Sequence, residues 1–153
     1  DDILGFKKIK KSVGGVKLAT GEMCQNRIVF KQFLENKSLD FCQIDSCRLA
    51  SLNEILPILL MSSKLNIPVI AHAGGVGLCE YVQHLNIINQ LIITNNTTYL
   101  SEYAESCSEH LTNPSIIKNG HYVTPMNSGY SAIIKKDSVK KFQFPNGDYW
   151  KGK

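Results

Sequence analysis

The sequence has no long apolar stretch and no leader-like start. Its longest apolar run, residues 55–61, is seven residues long and contains Pro57, whereas a membrane-spanning helix needs about 20 apolar residues. The first residues do not show a basic segment followed by an apolar one, which is the pattern of a secretory signal peptide. These absences argue against a membrane protein and against a secreted precursor.

Closely spaced cysteine pairs are also absent. The count of five is odd, whereas small disulfide scaffolds prefer even counts and zinc sites use pairs such as C-x2-C. The pattern predicts reduced thiols in an intracellular protein, packed as small apolar side chains. The five are Cys24, Cys42, Cys47, Cys79 and Cys107.

The chain lacks a strong excess of charge of either sign, since its formal net charge is only +4. This excess is too small and too scattered to predict a nucleic-acid partner. The basic run at residues 7–11 is interpreted as the solvated face of an amphipathic helix. Hydrophobic residues make up 43% of the chain and charged residues 20%, which predicts a folded domain with a sizeable core.

Short apolar runs alternate with longer helical patterns along most of the chain. Asn26 and Ser51 are expected to cap two helices, and Glu54 is placed to complete a capping box with Ser51. This order predicts a parallel α/β sheet, either open and doubly wound or part of a closed barrel. From Thr112 onward a loop-rich tail with one helix replaces the alternation. The predicted strands are residues 16–20, 41–44, 67–71 and 91–93, and the later helices are 76–89, 99–111 and 131–141.

The first polar residues after the predicted strands form a regular set, Glu22, Asp45, His72 and Thr97, at intervals of 23, 27 and 25 positions. The carboxyl ends of parallel strands meet at one edge of the sheet, so we expect these side chains to converge there. Two carboxylates and an imidazole indicate a metal site or acid–base chemistry. Asp45 and His72 would form a general-base dyad if they are hydrogen-bonded.

Other residues leave alternatives open. Cys24 and Cys47 follow strand ends by two residues and would suit a thiol enzyme that uses His72. The glycine loop at 74–77 precedes a helix and could cradle a phosphate, but it lacks the spacing of the known phosphate motifs, which favours helix-entry packing. Glu80 and His84, one turn apart, are interpreted as a helix-surface pair rather than as metal ligands.

Several segments together resemble the L-fuconate dehydratase branch of the enolase superfamily. They are residues 19–24 (ATGEMC), 43–48 (QIDSCR) and 72–80 (HAGGVGLCE), with further similarity in the tail around residues 125–150. The resemblance covers essentially the whole chain, and the QIDSCR and HAGGVG runs are the most specific.

The resemblance implies a fold, a reaction and partners. The fold is the C-terminal half of a (β/α) TIM-type barrel, strands five to eight with their helices, over residues 1–111. A tail at 112–153 would pack toward a capping domain. The reaction is a Mg²⁺-dependent dehydration of a sugar acid such as L-fuconate, by removal of the α-proton and loss of the 3-hydroxyl. The implied partners are the sugar acid, the N-terminal half-barrel with its capping domain, and a second copy in a homo-oligomer, in mitochondria or cytoplasm.

Three positions carry the family's site residues over to this chain. Glu22 matches the third Mg²⁺ ligand, and Asp45 and His72 match the Asp–His dyad, in which the histidine acts as acid or base. Thr97 stands where the branch carries a glutamate.

The remaining family machinery falls upstream of Asp1. This includes a Lys-x-Lys motif and two further metal carboxylates. Because the chain also starts without methionine, we expect it to be a piece of a longer protein and to have no dehydratase activity alone. Two alternatives stay open: a non-catalytic truncated member serving as a binding or assembly module, and an open sheet that binds a nucleotide at residues 74–77.

Overall fold

The computed structural model describes residues 2–96 and 100–151. They divide into two compact units. The first unit contains the residues up to 73 together with 85–103, and the second contains 74–84 together with the residues from 104 onward. The sequence-based boundary at residue 111 stays a prediction.

Parallel strands form the centre of the first unit. Strand β1 (Ala19–Thr20) pairs with strand β2 (Phe41–Cys42) in parallel, with Ala19 opposite Phe41. The backbone near Val69 pairs in parallel with Cys42 on the other side, and the His72 amide donates to the Ile44 carbonyl at 2.7 Å. The first three predicted strands therefore lie side by side in parallel, with shorter regular pairing than the sequence predicted.

Two capped helices connect these strands. Helix α2 (Arg27–Glu35) begins where the Asn26 side chain accepts hydrogen bonds from the amides of Ile28 and Val29, at 3.0 and 3.1 Å. Helix α3 (Leu52–Lys64) begins where the Ser51 hydroxyl accepts from the Asn53 amide at 3.2 Å. Both predicted caps are confirmed, because side-chain oxygens replace the missing acceptors of the first turn.

The predicted capping box at Ser51 is wrong for Glu54, whose carboxylate bonds to Arg27 instead. The carboxylate of Glu54 accepts from the backbone amide of Arg27 and from its guanidinium, both at 2.8 Å. A charged donor on the neighbouring helix offers a stronger hydrogen bond than the Ser51 amide does. Glu54 thus joins the start of α3 to the start of α2.

The core of the first unit is aliphatic and aromatic and comes from α2, α3 and the strands between them. Phe33 is fully buried, and its ring meets the Phe6 ring edge-on with 5.6 Å between centroids. Phe6 belongs to helix α1 (Ile3–Ser12), so the predicted amphipathic helix at the basic run is confirmed. The other fully buried side chains of this core include Phe30, Leu34, Leu39, Cys42, Ile44, Ile55, Ile58 and Leu59.

A salt bridge joins α1 to the strand region. The Lys10 ammonium lies 2.8 Å from the Asp40 carboxylate and donates to the Leu39 carbonyl at 2.8 Å. Asp40 also accepts from the Leu18 amide at 2.9 Å. The hydrogen bond from Lys10 is the main cause that lowers the pKa of Asp40, and the one from Leu18 adds to it. One lysine of the basic run is therefore used in packing.

The fourth predicted strand, residues 91–93, is wrong. Helix α4 (Leu78–Ile87) passes directly into a π-helix, Ile88–Ile93. No glycine or proline stands between residues 78 and 96 to stop the helix. Ile92 is 75% exposed and Leu91 57%, so this apolar run gains little of the burial that would favour a strand.

The helix predicted at 99–111 is also wrong over its described part. Residues 100–107 are irregular, and only Ser108–His110 form a turn of 3₁₀-helix. Cys107 has a left-handed backbone, with φ of 56°, which an α-helix does not accommodate. The apolar spacing of this segment therefore indicated a helix that the backbone does not form.

The tail within the second unit is loop-rich, as predicted, and contains a small hairpin. Strands β3 (Ile117–Lys118) and β4 (His121–Tyr122) pair antiparallel. Asn119 and Gly120 between them both have positive φ, 52° and 75°, as a two-residue hairpin turn requires.

The C-terminal end of the tail folds around aromatic rings. Helix α5 (Lys136–Phe142) starts later than predicted, because the backbone at Ile134 pairs with Leu111. The Trp150 indole donates to the Phe142 carbonyl at 2.9 Å and meets the Phe144 ring edge-on at 5.4 Å. Trp150 is thus an anchor for the tail, while Phe144 remains 74% exposed. None of the helices within residues 2–96 and 100–151 is long and apolar enough to cross a bilayer.

Candidate active site

Glu22 is placed by a glycine that has no room for a side chain. Gly21 follows β1 with φ of 133°, and a Cβ there would lie 2.7 Å from the Gln43 carbonyl oxygen and 2.7 Å from the Phe30 ring. The chain can thus turn close against β2 only with glycine at this position. The Glu22 side chain that follows is 46% exposed.

Asp45 is held on both of its oxygens. Its Oδ1 accepts from the backbone amides of Cys47 at 2.6 Å and of Arg48 at 3.3 Å. Its Oδ2 lies 2.9 Å from His72 Nδ1. The residue is only 6% exposed. A buried carboxylate needs such donors to offset the loss of water, and the amides fix its orientation toward His72.

His72 lies between the two predicted carboxylates. Its Nδ1 faces Asp45 Oδ2 at 2.9 Å, and its Nε2 faces Glu22 Oε2 at 3.5 Å. The structure therefore brings together three of the four residues predicted from the strand ends. Their chemical roles stay predictions. The fourth, Thr97, lies outside the described residues.

This arrangement suits the transfer of a proton at Nε2. Asp45 accepts a hydrogen bond from Nδ1–H, which sets the tautomer and leaves Nε2 as the reactive nitrogen. When Nε2 gains a proton, Asp45 and Glu22 both stabilise the imidazolium. The histidine can thus act as a general base and return the proton as a general acid.

A further carboxylate, Glu102, was missed from the sequence. Its Oε2 accepts from the Ala73 amide at 3.1 Å and from Gln43 Nε2 at 3.3 Å. These partners are 29 and 59 positions away along the chain. The sequence predicts Glu102 near the start of a helix at 99–111, and no local pattern signals contacts at such separations.

Comparison with known proteins identifies the family. The family model described as enolase C-terminal domain-like matches residues 1–138, which is most of the chain. The chain belongs to the enolase superfamily.

Relatives of this enolase-superfamily chain match it along nearly its full length. It is 49% identical to mitochondrial enolase superfamily member 1 of Xenopus laevis over 99% of the chain, and 45% identical to L-galactonate dehydratase of Hypocrea jecorina over 95%. The crystal structure of human mitochondrial enolase superfamily member 1 superposes with a TM-score of 0.91, at 49% identity and 99% coverage of the chain. The match confirms the predicted α/β class of the superfamily's barrel domain.

The matches also define how much of a relative is present. The chain spans 35% of the Xenopus relative, 32% of the Hypocrea relative and 35% of the human one. It therefore corresponds to about a third of each of these proteins.

The described residues of this chain do not form a complete metal site. No group of three or more histidine, cysteine, aspartate or glutamate side chains within residues 2–96 and 100–151 is arranged to hold a metal ion. Mg²⁺ prefers six oxygen ligands, and the oxygens of Asp45 are already engaged by His72, Cys47 and Arg48. Glu22 alone does not supply enough oxygen ligands for this ion.

Neither thiol near the strand ends gains support as a nucleophile. Cys24 is buried, and its burial raises the pKa of its thiol, so its thiolate, the reactive form, is disfavoured. Cys47 is exposed, and its backbone amide serves to hold Asp45.

The helix-surface interpretation of Glu80 and His84 is wrong for Glu80. Glu80 is 3% exposed, and its carboxylate accepts from both the amide and the hydroxyl of Ser115, at 2.8 and 3.0 Å. The His84 ring meets the Tyr130 ring edge-on, with 6.1 Å between centroids. Glu80 thus anchors the tail to α4 within the second unit. Sequence spacing alone could not show the Ser115 partner, 35 positions away.

The glycine loop before α4 serves the entry of the helix. The Gly75 carbonyl accepts from the Leu78 amide and the Gly77 carbonyl from the Tyr81 amide, both at 3.1 Å. Gly77 has φ of 76°, a conformation that favours glycine. These contacts support helix-entry packing as the role of the loop.

Proposed function

We propose that this chain carries the acid–base residues of a sugar-acid dehydratase, with L-fuconate as the first substrate to test. The observation that carries the proposal is the His72 imidazole between Asp45 at 2.9 Å and Glu22 at 3.5 Å. Membership of the enolase superfamily and the similarity to an L-galactonate dehydratase support the same reaction class.

In the proposed reaction, His72 moves protons while Asp45 holds it in place. A base removes the hydrogen from the carbon next to the substrate carboxylate, the C3 hydroxyl leaves as water after protonation, and the enol rearranges to a 2-keto-3-deoxy acid. A histidine with a fixed tautomer can serve either proton transfer.

Glu22 is proposed as one ligand of a Mg²⁺ ion in a complete barrel. Such an ion would neutralise the negative charge that develops on the substrate carboxylate. The other ligands would have to come from outside the described residues, as would the N-terminal half-barrel and capping domain. The isolated 153-residue chain is therefore expected to be inactive. A homo-oligomer and a mitochondrial or cytoplasmic location remain predictions.

A second function is favoured by a different observation. Thr97 stands where the resembled branch carries a glutamate, and the loss of that carboxylate would suit a decayed, non-catalytic member. In that case the chain would act as a binding or assembly module.

The first experiment measures the intact mass of the native protein in its source cells, with an antibody against the tail. A full barrel with a cap would be about two to three times heavier than 17.1 kDa. If that species is found, it is purified and given Mg²⁺ and L-fuconate, and formation of the 2-keto-3-deoxy acid is followed. Product that disappears in His72→Gln supports the dehydratase. A native species of 17.1 kDa, or a longer one that forms no product from any sugar acid tried, supports the module instead.

A further inference from the structure

Glu102 joins the two strand ends that carry the proton-transfer dyad. One of its partners, the Ala73 amide, directly follows His72, and the other, Gln43, lies two positions before Asp45, just past the end of β2. We propose that Glu102 is a positioning residue that holds His72 and Asp45 at their hydrogen-bonding distance. Its effect on catalysis rests on the proposed function, whereas its effect on geometry does not.

The first half of the argument concerns His72. The peptide group between His72 and Ala73 presents its amide to Glu102 at 3.1 Å, while the His72 amide donates to the Ile44 carbonyl at 2.7 Å. The backbone is thus fixed on both sides of the histidine. Without Glu102 the Ala73 amide would lose this hydrogen bond, and we expect the distance between the His72 ring and Asp45 to vary more.

The second half concerns the strand of Asp45. The backbone amide of Gln43 donates to the Thr20 carbonyl at 2.9 Å. The side-chain Nε2 of Gln43 donates to Glu102 at 3.3 Å. Gln43 and Asp45 lie just past the end of β2 (Phe41–Cys42), two positions apart. Glu102 therefore bonds to both segments that carry the 2.9 Å contact between Asp45 and His72.

We call the hydrogen bonds from the Ala73 amide and the Gln43 side chain to Glu102 the brace. Their chemistry predicts which substitutions of Glu102 weaken it most. An ionised carboxylate accepts stronger hydrogen bonds than a neutral group does. Glu102→Gln keeps an oxygen at the same distance and retains a weaker brace, whereas Glu102→Ala removes the acceptor from both donors. Displacing a catalytic group by about 1 Å can cost about 100-fold in rate, so the alanine variant is expected to be slow while it still binds substrate.

The first arm of the test uses this chain and needs no activity. Hydrogen exchange and the proton shift of the Ala73 amide are measured by NMR in wild type, Glu102→Ala and Glu102→Gln. We expect exchange to be about 10-fold or more faster in the alanine variant, because the amide loses its acceptor, and nearer wild type in the glutamine variant. Glu105→Ala is the matched control, since Glu105 lies three positions away and bonds to Ser108.

The second arm uses the protein at its native length, in the dehydratase assay. We expect kcat to fall about 10- to 100-fold in Glu102→Ala with little change in KM, and to recover in part in Glu102→Gln. Unchanged exchange at Ala73 in Glu102→Ala would overturn the brace. Faster exchange with an unchanged kcat would overturn its role in positioning. If wild type itself forms no product, the dehydratase proposal fails, and the exchange measurement still decides whether the brace exists.

Discussion

The two units each contain a histidine with a partner on either ring nitrogen, and the partners differ. In the first unit His72 lies between Asp45 and Glu22. In the second unit His110 has its Nδ1 3.0 Å from the Ser138 hydroxyl and its Nε2 3.5 Å from the Glu109 carboxylate.

The difference lies in how firmly each partner is held. Asp45 is buried and fixed by two backbone amides, whereas the Glu109 side chain is 68% exposed. His110 also packs edge-on against Phe142, with 5.3 Å between centroids, and lines an apolar cavity of about 420 Å³. A histidine with two polar neighbours is therefore common to both units, but a fixed anionic partner belongs to His72 alone of the two.

The largest expected effect is the difference in reaction rate between two single variants, one at His72 and one at His110. His72→Gln should lower the rate of the dehydratase assay by about 100- to 10,000-fold, the usual contribution of a general acid–base group. His110→Gln should leave the rate within about 2-fold, because no proton-transfer role is assigned to it. Initial rates of the native-length protein with L-fuconate measure both. Equal losses in the two variants would remove the distinction between the histidines.

The next effect contrasts the cores of the two units. Phe33 is fully buried, so Phe33→Ala should lower the free energy of unfolding by about 3–5 kcal/mol through lost burial and a residual cavity. Phe142 is 39% exposed, so Phe142→Ala should cost less than half as much. Urea denaturation followed by circular dichroism gives both values. A larger loss at Phe142 would show that the tail, rather than the helix–strand core, limits stability.

A smaller effect separates a capped helix from an uncapped one. Asn26→Ala removes the side-chain oxygen that accepts from two amides of α2 and should cost about 1 kcal/mol. Lys135 occupies the same position before α5 without a side-chain cap bond, and its ammonium donates to the Glu109 carbonyl at an exposed site, so Lys135→Ala should change stability by less than about 0.5 kcal/mol. The same denaturation experiment reports both. Similar costs would show that the Asn26 contacts contribute little.

The smallest expected effect is on the pH dependence of stability. It concerns two aspartates whose pKa values are lowered in the folded state. The hydrogen bond from Lys10 lowers the pKa of Asp40, and the one from Lys151 lowers the pKa of Asp148. The stabilisation from Asp40 is present above its unfolded pKa of about 3.9 and is lost as pH falls through its lower folded value. Asp40→Asn should therefore destabilise at pH 7 by about 0.2–1 kcal/mol and much less at pH 3.

Thermal denaturation across this pH range tests the prediction, with Asp148→Asn as the comparison. Asp148 and Lys151 are three positions apart on an exposed turn, whereas Lys10 and Asp40 join two elements 30 positions apart. The pH-dependent loss should be larger in Asp40→Asn than in Asp148→Asn. A loss that persists unchanged at pH 3 would place its cause in packing rather than in charge.

Sequence predicted best those features that depend on neighbouring residues. The caps at Asn26 and Ser51 and the first three strands follow from local side-chain chemistry and apolar runs, and the structure contains them. Glu22, Asp45 and His72 were found because parallel strands bring their ends together, which makes a distant contact predictable from topology.

The errors have different physical causes. Residues 91–93 have the composition of a strand, but the helix before them meets no residue that stops it. Residues 99–111 have helical spacing, but Cys107 adopts a left-handed backbone. The hairpin at 117–122 was overlooked although its Asn119-Gly120 turn is a strong local signal. Glu102 could not have been found, because its contacts with Ala73 and Gln43 are with distant segments.

The distribution of thiols has a practical consequence for labelling. Cys24, Cys42 and Cys79 are buried, and burial raises the pKa of Cys42 to about 12, so these three should resist alkylation in the native state. Cys47 and Cys107 are exposed, one in each unit. A thiol-reactive spin label applied to the unmodified protein should therefore attach once to each unit. The magnetic coupling between the two labels then reports the separation of the units in solution, without any engineered cysteine.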